Sequence, residues 1–313
     1  MTRNGRLHLT KHHGAGNDFL VLLDRGAERP LEAAEAVVLC DRHRGVGADG
    51  VIRATPSPGG GGAALCMELT NADGSMAEMS GNGIRCLVQA AVGAGWVSAG
   101  VVEVDTVAGR RRVDYRPGAA PGEGFATVDM GEVAVLGEVA VLGEGPLDLP
   151  PAAQAAMRLS VGNPHLVLLF GQPVDDELVA GAGARLEGSV EGGTNVEFLW
   201  PLGAGSAELA LRVWERGVGE TLACGTGTCA AAVAAWRWGL GERRLRVHNP
   251  GGVLEVELTD DGVLLGGPTV QVADVEVDEE VLASLVAAEP ATAGRQLAVV
   301  QAQQMVDEVA AGR

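Results

Sequence analysis

One pattern occurs twice in this chain and constrains its fold more than any other feature. Residues 71–86 read NADGSMAEMSGNGIRC, and residues 215–229 read ERGVGETLACGTGTC. Each stretch contains a turn of the form small residue, Gly, polar residue, Gly, and each turn opens a helix. The small residue is Ser80 in the first turn and Cys224 in the second. A matched layout of this kind predicts an internal repeat.

The sequence around the two turns predicts two halves of similar build. Apolar runs bounded by glycine-rich turns predict strands before and after each helix. Asn71 lies nine positions before Ser80, and Glu215 lies nine positions before Cys224. We therefore expect an α/β (α+β) fold with two pseudo-symmetric domains.

The domain boundary is predicted by composition. Residues 118–124, GAAPGEG, are rich in turn-forming residues. Residues 131–136 repeat as 137–142, and we interpret this as a small duplication in a surface loop. We predict an N-terminal half at residues 1–124 and a C-terminal half at residues 125–265. Roughly residues 266–278 return to the N-terminal half, and residues 279–313 form a helical C-terminal tail.

Net charge and cysteine content exclude several classes of partner. The formal net charge is −18 at pH 7, and such an acidic surface repels phosphate backbones, so we expect no nucleic-acid partner. No apolar segment is long enough to span a membrane, and residues 1–17 lack the apolar run of a secretion signal. With an odd number of cysteines, five, we expect a cytoplasmic protein with reduced thiols.

The lysine count argues against one common cofactor. Lys11 is the only lysine, and it lies in a turn-rich segment without a phosphate-binding loop beside it. Pyridoxal phosphate enzymes hold their cofactor through a lysine Schiff base. The histidines His12, His13 and His43 are not spaced as metal ligands, and no CxxC or HExxH motif is present. We therefore predict a protein without a cofactor or a metal.

The two turns predict an anion site with a reactive side chain. The first N–H groups of a helix have no partners within the helix and, with the helix dipole, bind anions such as a carboxylate. The same field stabilises a thiolate, so we expect a lowered pKa for Cys224. If the two turns face each other, one side chain lies on each side of the bound ligand. Taken alone, Cys224 fits equally well as a small buried residue that caps a helix.

Seven motifs in order make the chain resemble diaminopimelate epimerases, a family of amino-acid epimerases that work without pyridoxal phosphate. The resemblance covers about residues 6–275, and the tail from residue 279 lies outside it. GNPH and ERGxGET are the most specific motifs. The motifs in this chain are KHHGAGNDF, CDRHRGVGADG, NADGSMAEMSGNG, GNPH, GTNVEF, ERGVGETLACGTG and GGP.

The resemblance implies both a fold and a reaction. Each domain is expected to be a mixed sheet curled around a central helix, with the active site in the cleft between the domains. The expected reaction interconverts LL- and meso-diaminopimelate with two cysteine bases and no cofactor. The expected partner is a small diamino-dicarboxylate substrate, and the sequence leaves a homodimer open.

The resemblance also implies roles for particular residues. Cys224 matches one base, and His165 and Glu215 match a pair that tunes the bases. Arg216 matches the side chain that binds the distal carboxylate. The remaining substrate-binding positions are four asparagines and two backbone cradles for the reacting carboxylate: Asn17, Asn71, Asn163 and Asn195, with Gly81, Asn82, Gly225 and Thr226.

Taken singly, several of these residues have ordinary structural interpretations. Asn17 follows a glycine turn and fits a capping or left-handed position. Asn163 precedes a proline, as turn residues often do. His165 fits a core histidine, and Glu215 with Arg216 fits a charge pair at a strand end. It is their joint order along the chain that favours a functional site.

The chain departs from the family at the chemistry itself. Ser80 occupies the position of the family's first catalytic cysteine, and an alcohol is a far weaker acid than a thiol. Gly50 stands where some members have a glutamine that lines the cleft. Three interpretations remain open: an epimerase in which Ser80 still transfers the proton, aided by His165 or Glu215; a one-base dehydratase, eliminase or isomerase that uses Cys224 alone; and a non-catalytic binder of diaminopimelate.

Overall fold

A computed structural model describes residues 5–57, 62–77, 79–139, 147–203 and 207–288. The first part of the chain forms β1 (Arg6–Gly14), β2 (Asn17–Leu23), α1 (Ala33–Cys40), β3 (Gly50–Thr55), β4 (Leu65–Asn71), β5 (Met76–Ala77), α2 (Gly81–Gly93), β6 (Gly100–Thr106), β7 (Gly109–Pro117), β8 (Glu123–Gly131) and β9 (Ala134–Val139). The second part forms β10 (Ala155–Ser160), β11 (Pro164–Leu169), α3 (Asp176–Glu187), β12 (Asn195–Pro201), β13 (Glu208–Glu215), β14 (Gly219–Thr221), α4 (Gly225–Arg237), β15 (Arg244–Asn249), β16 (Gly252–Leu258), β17 (Val263–Asp278) and α5 (Glu279–Ala288).

Seven main strands from the first part of the chain close into a barrel together with β17. Strand pairing runs in the order β1, β2, β3, β4, β6, β7, β8 and β17, and β17 pairs back onto β1. Two of these pairs, β2–β3 and β4–β6, are parallel, and the others are antiparallel. The sheet is therefore mixed and curled, as the sequence predicted.

The C-terminal half repeats this pairing scheme. Its strands pair in the order β10, β11, β12, β13, β15, β16 and β17. The second and fourth pairs, β11–β12 and β13–β15, are parallel, as are the second and fourth pairs of the N-terminal half. The short strands β5 and β14 pair with β4 and β13 in the same way. The fold is thus α+β with two pseudo-symmetric domains.

Each half ends in a strand that continues into the other half. After β8 the chain runs on as β9, which pairs with β10. In the same way β17 pairs first with β16 and β8, and then, over Val270–Asp278, with β1. The predicted domain division, at residues 124 and 125 with roughly 266–278 returning to the N-terminal half, stays a prediction.

One helix fills each barrel. Eleven residues of α2 and eleven of α4 are buried, so neither helix has a solvent-facing side until its C-terminal end. Their apolar residues pack against the inner faces of the strands in one core. A helix enclosed on all sides can pack closely only with small side chains, which explains the alanine and glycine content of GTGTCAAAVAAWR in α4.

The other helices cover the outside of the barrels. Helix α3 packs on the outer faces of β10, β11 and β12, and α1 packs on β1, β2 and β3. Helix α5 belongs to the α1 cluster through Leu282, which is 2% exposed. The start of the predicted tail is therefore a helix packed on the N-terminal half, and the rest of the tail, residues 289–313, lies outside the described residues.

The duplication at residues 131–142 is not a surface loop where the structure describes it. Its part from Ala134 to Val139 is strand β9, paired with β10. This segment is a strand because it continues from β8 and pairs with a strand of the other half. Residues 140–142 lie outside the described residues.

The N-termini of the two central helices touch each other. A Cβ atom added at Gly225 would lie 3.2 Å from the Cα atom of Gly81 and 3.0 Å from Leu265 Cδ2. At Gly81 an added Cβ would lie 2.7 Å from Leu265 Cδ2. An added Cβ at Gly225 would thus meet the first turn of α2, and one at Gly81 would meet a side chain of β17, so both positions are tightly packed.

We predict that Gly225→Ala lowers the free energy of unfolding by about 1–3 kcal/mol through overpacking. Thermal and denaturant unfolding measure this loss. The matched control is Gly181→Ala in α3, where nothing lies within 4 Å of an added Cβ, and where alanine should raise stability by up to about 1 kcal/mol. Equal stability of Gly225→Ala and the wild type would contradict the close contact.

Candidate active site

The helix N-termini meet at a cavity of about 870 Å³ that both halves line. Residues of β2, β4 and the α2 N-terminus face residues of β11, β12, β13 and the α4 N-terminus. Every predicted site residue except His165 lines it: Asn17, Asn71, Ser80, Gly81, Asn82, Asn163, Asn195, Glu215, Arg216, Cys224, Gly225 and Thr226.

Ser80 and Cys224 have the same place and the same backbone geometry. Each is the N-cap residue of its helix, with φ/ψ of −140°/117° for Ser80 and −116°/119° for Cys224. Gly83 N donates to Ser80 Oγ at 3.0 Å, and Gly227 N donates to Cys224 Sγ at 3.4 Å. The capping hydrogen bond keeps each side chain at the helix end, beside the N–H groups that have no partner in the helix.

Glu215 is the acidic partner of Cys224. Its side chain hydrogen-bonds with the thiol, and the Thr221 hydroxyl donates to Glu215 Oε1 at 2.5 Å. Burial raises the pKa of Glu215 despite these bonds. Burial, followed by the negative charge of Glu215, raises the pKa of Cys224 well above its usual range.

The predicted lowered pKa of Cys224 was therefore wrong. The helix N-terminus and Thr226 do favour the thiolate, but the loss of water and a neighbouring carboxylate outweigh them. Two negative charges side by side in a buried site are costly, so ionisation of one of these groups opposes ionisation of the other.

His165 lies behind the cavity wall. It is fully buried, with Nδ1 at 2.6 Å from Glu197 Oε1 and Nε2 at 2.9 Å from Asn163 Oδ1. Asn163 Nδ2 donates to Thr226 Oγ1 at 3.3 Å, and that hydroxyl lies 3.4 Å from Cys224 Sγ. His165 is thus joined to the Cys224 side of the cavity through two side chains.

The structure brings neither tuning residue to Ser80. In the described part of the chain, the Ser80 hydroxyl has no side-chain hydrogen bond with His165 or Glu215, and Gly83 N is its partner. Both tuning residues serve the opposite helix end. The site is therefore chemically asymmetric although its backbone is symmetric.

Polar side chains of the N-terminal half tie the two helix ends together. Asn82 Nδ2 donates to Asn17 Oδ1 at 3.2 Å and, across the domain boundary, to Ala223 O at 3.1 Å. Asn17 Nδ2 in turn donates to Asp49 Oδ2 at 2.6 Å. The Asn82 side chain is thus a structural link, in addition to the backbone role that the resemblance implies.

Arg85 supports this link from inside the barrel. Its guanidinium donates to Gly81 O at 3.0 Å and to Asn82 Oδ1 at 2.9 Å. Complete burial lowers the pKa of Arg85 to about 10, which still leaves it charged near neutrality. A buried positive charge behind the helix N-termini adds to the positive potential at the cavity.

The far end of the cavity holds a cation that is free to bind an anion. Arg216 is exposed, donates to Gly192 O at 2.7 Å, and forms no ion pair with any described residue. Asn195 Oδ1 accepts from Arg216 N at 3.0 Å and so positions the backbone at that residue. Asn71 lies at the opposite rim, where it donates to Ser75 Oγ at 3.0 Å.

Sequence reasoning missed four polar residues of the site and its surroundings: Asp49, Arg85, Glu197 and Thr221. Glu197 in NVEFLWP and Arg85 in GNGIRCLVQ are charges in the middle of buried elements. Because a buried charge is costly unless it has a role or a partner, this pattern was a usable signal.

Two general properties of the described residues bear on function. No helix in the described part of the chain is long and apolar enough to cross a membrane. Within the same residues, no three side chains of the His, Cys, Asp or Glu type are grouped so as to hold a metal ion.

The fold is shared with solved structures of low sequence identity. A probable proline racemase from Agrobacterium radiobacter superposes with a TM-score of 0.67 at 16% identity, covering 87% of this chain and 92% of that one. A hydroxyproline epimerase from Agrobacterium vitis has a TM-score of 0.66 at 15% identity, covering 88% and 94%. These likenesses define the class by its fold: a protein of two pseudo-symmetric halves with one cavity between them.

The chain belongs to the diaminopimelate epimerase family. The family model matches residues 9–136 and 157–273. The diaminopimelate epimerase of Synechocystis sp. is 41% identical over 280 residues, covering 85% of this chain and 97% of that protein. The diaminopimelate epimerase of Thermobifida fusca is 41% identical over 283 residues, covering 87% and 98%.

We predict that Glu215→Gln makes Cys224 more reactive toward iodoacetamide. Removing the neighbouring negative charge stabilises the thiolate, so the thiol pKa falls and more thiolate is present at a given pH. A fall of one pKa unit gives about tenfold faster alkylation below the pKa. Peptide mass spectrometry against time, at several pH values, measures the rate.

Two controls accompany this measurement. Glu220→Gln removes an exposed carboxylate of β14 that pairs with Arg212, outside the cavity, and should leave the rate unchanged. Cys66, a thiol far from Glu215 in the chain and outside the cavity lining, should react equally in all three proteins. A slower reaction of Cys224 in Glu215→Gln would contradict the pairing.

Proposed function

We propose that the protein interconverts LL- and meso-diaminopimelate without a cofactor, by removing the α-proton from one face and returning a proton to the other. This is a step of lysine and peptidoglycan biosynthesis. Relatives named diaminopimelate epimerase, about 40% identical over most of the chain, support the substrate. The single observation that carries the chemistry is the meeting of two capped helix N-termini, Ser80 and Cys224, at one cavity.

The reacting carboxylate binds between the two helix ends. Backbone N–H groups of Gly81 and Asn82 approach from one side, and those of Gly225 and Thr226 from the other. The contact between the two glycines leaves no room for a side chain, so the carboxylate can lie directly against the backbone. These donors, with Arg85 behind them, stabilise the charge that develops when the α-proton leaves.

Cys224 and Glu215 act as one acid–base unit. When Glu215 holds the shared proton, Cys224 is a thiolate and accepts the α-proton from its face of the substrate. When Glu215 is ionised, Cys224 is a thiol and donates a proton in the reverse direction. Because the unit has the same total charge in both states, switching between them does not bury an additional charge.

Ser80 faces the other side of the α-carbon. As an alcohol it donates a proton to the carbanion more readily than it accepts one from a carbon acid. Its oxygen already accepts a hydrogen bond from Gly83 N, which stabilises negative charge that forms there. We therefore expect reprotonation at the Ser80 face to limit turnover.

The distal end of the substrate binds away from the helix ends. Arg216 pairs with the distal carboxylate, since it is exposed to the cavity and has no acidic partner in the described chain. Polar side chains around it bind the remaining groups: Asn17, Asn71, Asn163 and Asn195. A site for a second carboxylate and a second amine, away from the helix ends, distinguishes a diamino-dicarboxylate from a simple amino acid.

The expected setting of the enzyme is the cytoplasm, where thiols stay reduced. All five cysteines are free, and four of them are buried, which supports a reducing compartment. The protein is proposed to act as a homodimer. Sedimentation velocity measures that state directly.

We predict that the purified protein interconverts LL- and meso-diaminopimelate and that Cys224→Ala abolishes the reaction. In deuterated water, label should enter both stereoisomers. Cys66→Ala, a thiol change outside the cavity, should keep full activity. Label in one stereoisomer without interconversion would establish a one-base enzyme instead, and tight binding without any exchange would establish a binder.

We predict that Ser80→Cys raises kcat by about 10²-fold or more, because a thiol is the stronger acid and the better base. Cysteine can keep the helix cap, as Cys224 does in α4. Ser80→Ala is the comparison: it should lose both the cap, at about 1 kcal/mol, and the activity. Full activity in Ser80→Ala would mean that another group supplies the second proton.

A further inference from the structure

Glu197 is a carboxylate in an unusual place, the inner face of a barrel. Along β12 the side chains alternate: Val196 and Phe198 pack outward against the α3 cluster, and Leu199 packs inward on the core around α4. Glu197 shares the inward face with Leu199 and is 0% exposed. The position would suit an apolar residue, so the charge calls for a physical explanation.

His165 is the hydrogen-bond partner of Glu197 in the described structure. Their Oε1 and Nδ1 atoms are 2.6 Å apart, and both side chains are completely buried. Glu197 Oε2 has no hydrogen-bond partner among the described residues. A buried carboxylate held by one histidine lowers the stability of a fold compared with an apolar residue of the same volume. A role in the site is therefore a better explanation than a role in stability.

Glu197 also lies against the first turn of α4. A Cβ added at Gly227 would be 2.7 Å from Glu197 Oε1 and 3.4 Å from Cys224 Sγ. The carboxylate therefore occupies the space that a side chain at residue 227 would fill, next to the residue whose N–H caps Cys224. The helix end is built around this carboxylate.

From Glu197 a continuous chain of hydrogen bonds leads to the reacting sulfur. The steps are Glu197 to His165 at 2.6 Å, His165 to Asn163 at 2.9 Å, Asn163 to Thr226 at 3.3 Å, and Thr226 to Cys224 Sγ at 3.4 Å. Three of these side chains come from neighbouring strands or the β10–β11 turn. The last two belong to the N-terminus of α4.

We propose that Glu197 is a positioning residue for the epimerase reaction, which acts through His165 to orient Asn163 and Thr226 at the Cys224 face. This inference rests on the proposed function. The carboxylate shares a proton with Nδ1 of the ring. Because Asn163 Oδ1 can only accept, Nε2 carries a second proton and donates it there, which holds the amide with Nδ2 toward Thr226. The Thr226 oxygen accepts that bond, so its own proton points to the Cys224 sulfur.

The activity test is a double-mutant cycle of Glu197→Gln and His165→Gln. Glutamine keeps the volume of Glu197 but offers a donor group to the ring and removes the charge. We expect each variant to lower kcat about 10²-fold, by analogy with loss of the orienting carboxylate from other catalytic histidines. KM should change far less, since neither side chain lines the cavity. The double variant should be no worse than either single one.

A spectroscopic test does not depend on turnover. A strongly downfield-shifted Nδ1 proton resonance is expected in the wild type, as a short bond to a carboxylate produces. It should vanish in both Glu197→Gln and His165→Gln. Glu255→Gln, an exposed glutamate of β16 in the same half, should keep the resonance, kcat and KM.

The outcomes separate this inference from the proposed function. Additive losses in the cycle, or a resonance that persists in Glu197→Gln, would overturn the role of Glu197 even in an active epimerase. Absence of any reaction on diaminopimelate in the wild type would overturn the proposed function, while the resonance would still report the contact with His165. If Glu197→Gln does not fold, Glu197→Asp retracts the carboxylate with its charge intact and should show the same loss of kcat and of the resonance.

Discussion

The whole structure depends on one contact, the meeting of Gly81 and Gly225 at the ends of two buried helices. A side chain at Gly225 would meet the Cα atom of Gly81, and one at Gly81 would meet Leu265. Because the first N–H groups of both helices have no partners within their helices, the contact brings two sets of free donors together beside Ser80 and Cys224, where we propose that the carboxylate binds. Everything else in the fold serves to hold this contact.

The barrels hold it by exchanging strands. β8 continues into β9 on the opposite barrel, and β17 returns to pair with β1, so that neither half closes without the other. The hydrogen bond from Asn82 to Ala223 O adds a link directly behind the helix ends. A site made from both halves thereby keeps a defined width, which a reaction at two faces of one carbon requires.

The symmetry of the backbone does not extend to the chemistry. Cys224 has Glu215 beside it and, through Thr226 and Asn163, a connection to His165 and Glu197. The hydroxyl of Ser80, by contrast, accepts a hydrogen bond from the backbone N–H of Gly83. In the proposed reaction, the two faces of the substrate therefore meet groups of very different proton affinity.

The sequence by itself determined the repeated half, the central helices and twelve of the residues that line the cavity, because glycine turns, apolar periodicity and ordered motifs are local. It misjudged the pKa of Cys224, and it did not find Glu197 or Arg85. This pKa and these buried charges depend on burial and on charged groups from strands that are distant in the sequence. Which side chain lies beside which, and how much water is excluded there, was decided only by the tertiary structure, because desolvation and charge pairing act through space.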